Sequence, residues 1–433
     1  MSDTIRVVLP ESYDLVVGDT FQLFYRGVVE APDPYCYDIL AVCPKGRNYP
    51  RYFELTPEEP GEYPLSVSVY DAGKRLLGRG ETTLRVTAPM APERDVHILC
   101  LGDSLTAGGQ WPEEAKRRLT ETGGVPGGHG FENIFFEGTC RRGETKYEGY
   151  GGWTWGCYCA TKRNYIWVNC RHNKTLQDQH SLWQDENGET WVLETLEQNR
   201  LKFNRAYPYA PARGIPKGGE LVHGGYAIHP EPIQIESCHM EAGSPLVDPE
   251  TGCLDVAAYC RRNEIPKLDA VYILLGLNGW GAAWEAGMDE KAFAQQNVRD
   301  GKVLVAAFRK AFPEIRIRIL GLMGCCVRGG CGTSYGARMP YCDDYGTYRL
   351  TMEMNLAYEA WAKEPEYRDF TEFINLSGQV DLENNMALEE KPVNTRSAKK
   401  ELIGVNGAHP LLEGYLQIAD AAYRNMIRLL QTQ

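Results

Sequence analysis

The chain predicts an α/β protein: a parallel sheet flanked by helices over residues 94–433, preceded by a small antiparallel β-sandwich over residues 1–90 and carrying a β-rich insertion over residues 157–243. Three observations carry this reading. Strand-like and helix-like runs alternate through the second part of the chain, as in successive βαβ units. The first part holds only short β-rich runs separated by Gly, Pro and Asp. Between about Cys157 and Gly243 the alternation stops, and an Asn187-Gly188 pair lies between Trp183 and Trp191, a short-range hairpin signal.

In the amino-terminal region, residues 5–9, 21–25, 38–42, 64–70 and 82–86 read as strands. Leu65, Val67 and Val69 alternate with Ser66 and Ser68, the period of a half-exposed strand. No catalytic constellation appears there, so packing, dimerisation or attachment are its expected roles. Residues 88–92, Ala-Pro-Met-Ala-Pro, form a stiff linker. Next, Val96, Ile98, Leu99 and Leu101 make an apolar run of the kind buried on both faces. Trp111-Pro-Glu-Glu followed by residues 115–119 opens a helix, with Pro and two acids suited to the first turn. After the insertion, in which residues 194–203 extend the β-structure, residues 271–275 form a second buried strand. Residues 292–312 form a helix carrying Leu304, Val305, Phe308 and Phe312, residues 315–320 a strand, residues 348–361 a helix and residues 370–376 a last strand. Leu412, Leu416, Ala419, Tyr423, Met426, Ile427 and Leu430 mark a final amphipathic helix.

Four segments at the ends of these elements bear chemistry. Gly102-Asp103-Ser104-Leu-Thr follows the first buried strand and presents a serine where sheet meets solvent. Glu148-Gly-Tyr-Gly-Gly152-Trp153-Thr154 is glycine-rich, so its backbone can approach a ligand closely. Gly276-Leu-Asn278-Gly-Trp280 follows the second buried strand, where open α/β sheets bind ligands. Asn406-Gly-Ala-His409-Pro410 immediately precedes the last helix. Any one of these is an ordinary turn by composition; the four together, in this order, are far more specific.

Serine, glycine, asparagine and histidine so arranged resemble the SGNH hydrolase family, the GDSL-like esterases and lipases, of the two-domain microbial or phage-associated type. The resemblance runs from about Asp95 to the carboxy terminus and implies a flavodoxin-like three-layer fold. It implies Ser104 as nucleophile, His409 as general base, and an oxyanion hole made by Ser104, Gly152 and Asn278. The chemistry is coherent with that assignment. A serine hydroxyl needs a base to take its proton, imidazole titrates near neutrality, and the oxygen that becomes negative needs converging donors. Two positions depart from the family pattern. Asn406 stands where the triad acid usually lies; its carbonyl can fix the imidazole tautomer but cannot supply full negative charge, and a backbone carbonyl or Glu401 are alternatives. Gly279 stands where an Asp commonly follows the asparagine, which bears on loop geometry rather than chemistry.

Composition bounds the partners. The 433 residues are 43% hydrophobic and 24% charged, with a net charge of −12. That is the balance of a globular protein, and it argues against nucleic-acid phosphates as a partner. No apolar run is long enough to span a membrane, and the first residues lack the apolar core of a signal peptide, so a cytoplasmic location is the default expectation, with a phage particle or non-classical export as alternatives. Fourteen cysteines include Cys157-x-Cys159 with Cys170-x-His172, and Cys325-Cys326 with Cys331 and Cys342. Single-residue spacing fits zinc poorly, so reduced, partly buried thiols are expected, with no metal and no cofactor. His223, His229 and His239 likewise lack ligand spacing.

Trp153, Trp155, Trp280 and Trp284 cluster around the motif residues. With Asp103, Trp153 and Trp280 are the candidate substrate-binding residues, the flat rings suited to stacking on sugars. The preferred substrate is therefore a carbohydrate O-acyl ester, with acetyl as the acyl group. A lipase-like or thioesterase-like hydrolase using the same residues is the first alternative. A degenerate module that binds glycans without cleaving them is the second, and Asn406 is what keeps it open. An α/β-hydrolase elbow requires Gly-x-Ser-x-Gly, and Thr106 occupies the second glycine position.

Overall fold

The computed structural model describes residues 4–159, 162–171, 182–184, 190–197, 200–205, 220–223, 233–242, 244–248, 250–337 and 339–431. The chain divides into two compact units. One comprises Met1–Gly151, Lys267–Leu275 and Glu314–Gln433; the other comprises Gly152–Pro266 and Gly276–Pro313.

The first unit is mixed α/β and contains a largely parallel sheet. Val96–Gly102 lies at its centre, buried along its whole length. On one side it pairs in parallel with Ile134–Glu137 and, at its carboxy-terminal end, with Thr145–Gly149. On the other side come Ala270–Leu274, Arg316–Leu320 and Thr371–Ile374, each parallel to its neighbour. Cys140–Arg142 closes one edge, antiparallel to Thr145–Gly149. The apolar runs read from the sequence are thus strands with both faces covered, which is why they lack alternation. Helix Gln110–Thr120 packs against the last helix, Leu412–Leu430. The latter turns Tyr415, Ile418, Ala419, Ala422, Tyr423 and Met426 inward. Helix Asp344–Ala362 packs beside the edge strand Thr371–Ile374.

Residues before about 90 form a four-stranded sheet in the order Ser12–Val16, Leu76–Thr87, Gly61–Tyr70, Asp38–Val42. A three-stranded sheet is made by Phe21–Phe24, Tyr52–Leu55 and Arg47–Asn48. Leu15, Phe21, Leu23, Val67, Val69 and Leu84 belong to their common buried core. One pairing departs from the antiparallel expectation: Ser12–Val16 runs parallel to Leu76–Thr87. These strands are far apart in sequence, so no hairpin dictates their direction.

This β-rich region is joined to the sheet by buried ions rather than by the linker alone. Asp19 accepts from Arg118 at 2.8 Å and from Arg424 at 2.7 Å, both on the paired helices, and Arg118 also meets Asp420 at 2.6 Å. Burial alone would raise the Asp19 carboxyl, but the two guanidiniums outweigh it and hold it below the usual range. Nearby, Asp14 and Glu372 share Arg85 and Arg428. Burial again opposes ionisation of Glu372, yet Arg318, Arg428 and Arg85 push its pKa down to about 2. Tyr348 donates its hydroxyl to Val29 O at 3.1 Å, sealing the other end of the seam.

The second unit contains six strands closed into a barrel in the order Lys162–Arg171, Arg200–Arg205, Thr190–Glu197, Leu182–Gln184, Glu220–His223, Ile233–Ala242. Trp183 and Trp191 face each other in register and are buried. The Asn187-Gly188 turn itself, His172 and His229 lie outside the described residues. Closure leaves no free sheet edge. Helices Trp155–Cys159 and Val256–Arg262 each pack against the long helix Glu290–Ala311. Among the described residues, no helix is long and apolar enough to cross a membrane.

Candidate active site

The Gly-Asp-Ser turn is shaped by close approach. A Cβ on Gly102 would sit 2.1 Å from Thr106 Oγ1 and 2.6 Å from Leu274 O, so only glycine lets the chain turn there. Ser104 then opens a short helix, Ser104–Ala107. Asp103 caps it: its carboxylate accepts from Leu105 N–H at 3.0 Å, and its carbonyl accepts from Thr106 and Ala107 N–H. Trp111 Nε1–H donates to Thr106 Oγ1 at 3.1 Å and the Tyr147 hydroxyl to Ala107 O at 2.8 Å, pinning the turn from two sides.

Asp103 was placed by the sequence among the substrate-binding residues, and the structure corrects this. Its side chain is almost wholly buried and spent on the cap. Burial raises its pKa to about 7, with the backbone N–H bonds opposing the rise.

His409, 305 residues further on, brings Nε2 to 2.8 Å from Ser104 Oγ. That is hydrogen-bond distance between a hydroxyl and a base able to take its proton. Burial lowers the imidazole pKa, and no charged neighbour contributes to the shift. The ring is therefore neutral, and a competent acceptor, at neutral pH.

The third member expected at Asn406 is not there. Asn406 Oδ1 accepts from His409 N–H at 2.9 Å and from Ala408 N–H at 3.1 Å. The side-chain carbonyl is committed to the backbone of its own turn, as Asn commonly is, rather than to the ring. Among the described residues no group hydrogen-bonds His409 Nδ1. Glu401 lies exposed on strand Lys400–Gly404, in a ribbon with Leu388–Pro392, and adds nothing to the shift of His409. Among the described residues, the hydrogen bond of the His409 ring is the one to Ser104 Oγ.

Gly152 and Asn278 belong to the other unit. Gly152 takes a φ of +75°, the left-handed region that favours glycine. Asn278 Nδ2–H donates to Trp153 O at 3.0 Å, so the glycine-rich loop and the asparagine turn are tied together within that unit. Gly279, where an acid was the family expectation, caps helix Trp280–Glu285 with a φ of +89°, which explains glycine there by backbone alone.

The tryptophans also require correction as sugar platforms. Trp153 is fully buried with Tyr158 edge-on to it, Trp155 is fully buried, and Trp280 is 4% exposed beside Phe293. Rings enclosed in this way pack the unit and offer no face to a sugar. Of the four, Trp284 alone is partly exposed.

Two features escaped the sequence. The loop around Cys325–Cys331 packs directly against the His409 turn, and Asp344 holds that loop; the signal was the glycines at the contact, Gly330 against Gly404, and Gly407 against Cys331. Cys325, Cys326 and Cys331 are free and buried, and burial, assisted by Asp344, pushes the Cys326 thiol up to about 12. A thiol raised in this way is a poor nucleophile at neutral pH. Among the described residues no group of three or more His, Cys, Asp or Glu is disposed to hold a metal ion. The Cys170 side chain and His172 are outside that set.

No protein-family model matches the chain, and no curated protein matches it. Solved structures do show likeness. An acetyl esterase mutant with acetate ion is 11% identical, with a TM-score of 0.36 over 78% of this chain and 99% of that one. A carbohydrate esterase family 3 protein from Talaromyces cellulolyticus is 12% identical, with a TM-score of 0.36 over 78% and 99%. A carbohydrate esterase family 2 enzyme with a carbohydrate-binding domain, from Corynascus thermopiles, is 11% identical, with a TM-score of 0.31 over 99% and 100%.

Proposed function

We propose that the protein is a serine esterase of SGNH type that hydrolyses O-acyl esters, acetyl esters of carbohydrate foremost, through an acyl-enzyme intermediate. The observation that carries this is the 2.8 Å approach of His409 Nε2 to Ser104 Oγ across 305 residues of sequence. The flavodoxin-like three-layer layout, the β-sandwich at residues 1–90, the hydrolase domain at residues 94–433 and its insertion at residues 157–243 belong to the same reading. The parallel order of the sheet around Val96–Gly102 supports it.

Ser104 Oγ attacks the ester carbonyl while its proton passes to His409 Nε2; the new Oγ–C bond forms as the carbonyl oxygen becomes negative. The backbone N–H of Ser104, that of Gly152 and the amide of Asn278 are the proposed donors to that oxygen. The C–O bond to the alcohol then breaks, and the alcohol leaves with the proton from His409. Water, deprotonated by His409, attacks the acyl-enzyme, and collapse returns Ser104 and releases the carboxylic acid. Among the described residues no carboxylate meets His409 Nδ1, and an imidazolium formed without one is less stabilised than in a triad.

Purified protein is assayed on acetyl, butyryl and octanoyl chromogenic esters and on an acetylated oligosaccharide, beside Ser104→Ala. Acetate release by the wild type, falling with acyl length and absent in the variant, is the expected result. Preference for octanoyl would favour the lipase-like alternative. Saturable glycan binding with no acid released would favour the binding module.

A further inference from the structure

We propose that Asp344 is a positioning residue for His409, acting through the loop Cys325–Cys331; this rests on the assignment of His409 as the base. Asp344 is the first residue of helix Asp344–Ala362. Its two carboxylate oxygens hold separate points of the loop: Oδ2 accepts from Gly329 N–H at 2.6 Å and Oδ1 from Cys331 N–H at 2.9 Å. The Cys325 thiol donates to Asp344 O at 3.0 Å, a third tie to the same residue. The loop in turn grips the histidine turn at two places. Cys326 N–H donates to Gly407 O at 3.1 Å, and Gly404 N–H donates to Arg328 O at 3.0 Å.

The two backbones are pressed together. A Cβ on Gly407 would lie 3.0 Å from Cys331 Sγ and 3.1 Å from its Cα, and one on Gly404 would lie 2.6 Å from Val327 O. His409 sits two residues beyond Gly407, so a shift of the loop becomes a shift of the ring. The loop also borders a cavity of about 220 Å³, lined in addition by Arg26, Ala31 and Pro32. Arg328, lining that cavity, takes a φ of +62°, a left-handed backbone that a non-glycine residue keeps only when its surroundings over-determine it. The paired bonds to Asp344 supply that constraint, and charge-assisted bonds from a carboxylate are the strong kind.

The test compares Asp344→Ala and Asp344→Asn with Asp343→Ala. Asp343 caps the same helix, accepting from Tyr345 N–H at 3.0 Å, and so reports helix destabilisation alone. Asp344→Ala is expected to lower kcat on acetyl ester by about ten- to hundredfold with KM within about twofold, the size that a misplacement of a catalytic group produces. Asp344→Asn keeps one acceptor oxygen and is expected to restore part of that loss. Asp343→Ala is expected to lower Tm while keeping kcat. In parallel, the ring 15N signals of His409, assigned with His409→Gln, report the Ser104 hydrogen bond whether or not an ester is turned over. They are expected to move in Asp344→Ala and to stay in Asp343→Ala. Unchanged 15N signals in Asp344→Ala, or equal kcat losses in Asp344→Ala and Asp343→Ala, would overturn the proposal. Absence of turnover by the wild type would instead overturn the esterase reading and leave the 15N comparison decisive.

Discussion

Replacing Asn406 by Ala separates a turn-holding residue from a triad member by magnitude. The structure gives Asn406 Oδ1 two partners, the N–H groups of His409 and Ala408 at 2.9 and 3.1 Å. Each such bond is worth about 0.5–1.5 kcal/mol net, so the substitution should cost about 1–3 kcal/mol of stability. The His409 turn loosens with it, and kcat should fall by on the order of ten- to a hundredfold. A residue that set the imidazole tautomer would behave otherwise, costing about four orders of magnitude in kcat with little effect on folding. Asn406→Asp is the complementary change. Its carboxylate still accepts both N–H groups, so stability holds, while the added negative charge near the ring raises the pKa of His409 and moves the acid limb of activity to higher pH. Urea unfolding together with kcat/KM against pH on a short-chain ester reads both variants. A wild-type unfolding curve for Asn406→Ala combined with a ten-thousandfold loss of kcat would refute the reasoning.

Three other outcomes follow, the first from the proposed oxyanion role of Asn278 and the others from the buried His409 and Glu372. Asn278→Ala should lower kcat on the order of a hundredfold or more with KM little changed, the cost of one oxyanion donor being about 2.7–4 kcal/mol; steady-state kinetics check it. Because burial lowers the His409 pKa, and the base must be unprotonated, kcat/KM should rise with pH through an apparent value below the ordinary histidine value of about 6.5; a limb above that value would count against burial as the cause. Glu372, with a folded pKa of about 2, stabilises the fold above the unfolded carboxyl range and loses that contribution as pH falls toward 2. Glu372→Gln should therefore flatten the loss of stability between about pH 4.5 and 2, on the order of 2–3 kcal/mol, in denaturant titrations at each pH.

Much of the first unit's architecture was legible because burial on two faces leaves a plain sequence trace. The apolar residues Val96, Ile98, Leu99 and Leu101 and the run 271–275 do not alternate with exposed polar residues, and both segments fall in central strands. The Pro and acids at 112–114 and the periodic apolar positions after 412 marked helices Gln110–Thr120 and Leu412–Leu430. Strand Ser12–Val16 and the pairings of Asp14 and Asp19 went unread, because their partners Arg118, Arg424 and Arg428 lie about a hundred to over four hundred positions away. Ser104 and His409 were paired through the resemblance of their motifs to the SGNH family, and Nε2 lies 2.8 Å from Oγ. The use of Asn406 could not be read in that way: an Asn three residues before a His serves the backbone N–H or the ring equally well by spacing, and only the direction of Oδ1 decides. Trp153 and Trp280 failed for a related reason, since a ring that stacks on a sugar and a ring that fills a core have the same letter. Asp344 left no trace because it acts through main-chain groups of a loop whose sequence spoke mainly of thiols.

The account turns on Ser104 being activated by His409, and the most direct measurement is covalent labelling with a fluorophosphonate followed by peptide mass spectrometry. The wild type should take up one phosphonyl group per chain on the peptide containing Ser104, with a rate that rises as His409 loses its proton. Ser104→Ala should remain unlabelled and His409→Ala should react on the order of a hundredfold or more slowly. Labelling of the wild type at another residue, or an undiminished rate in His409→Ala, would contradict it.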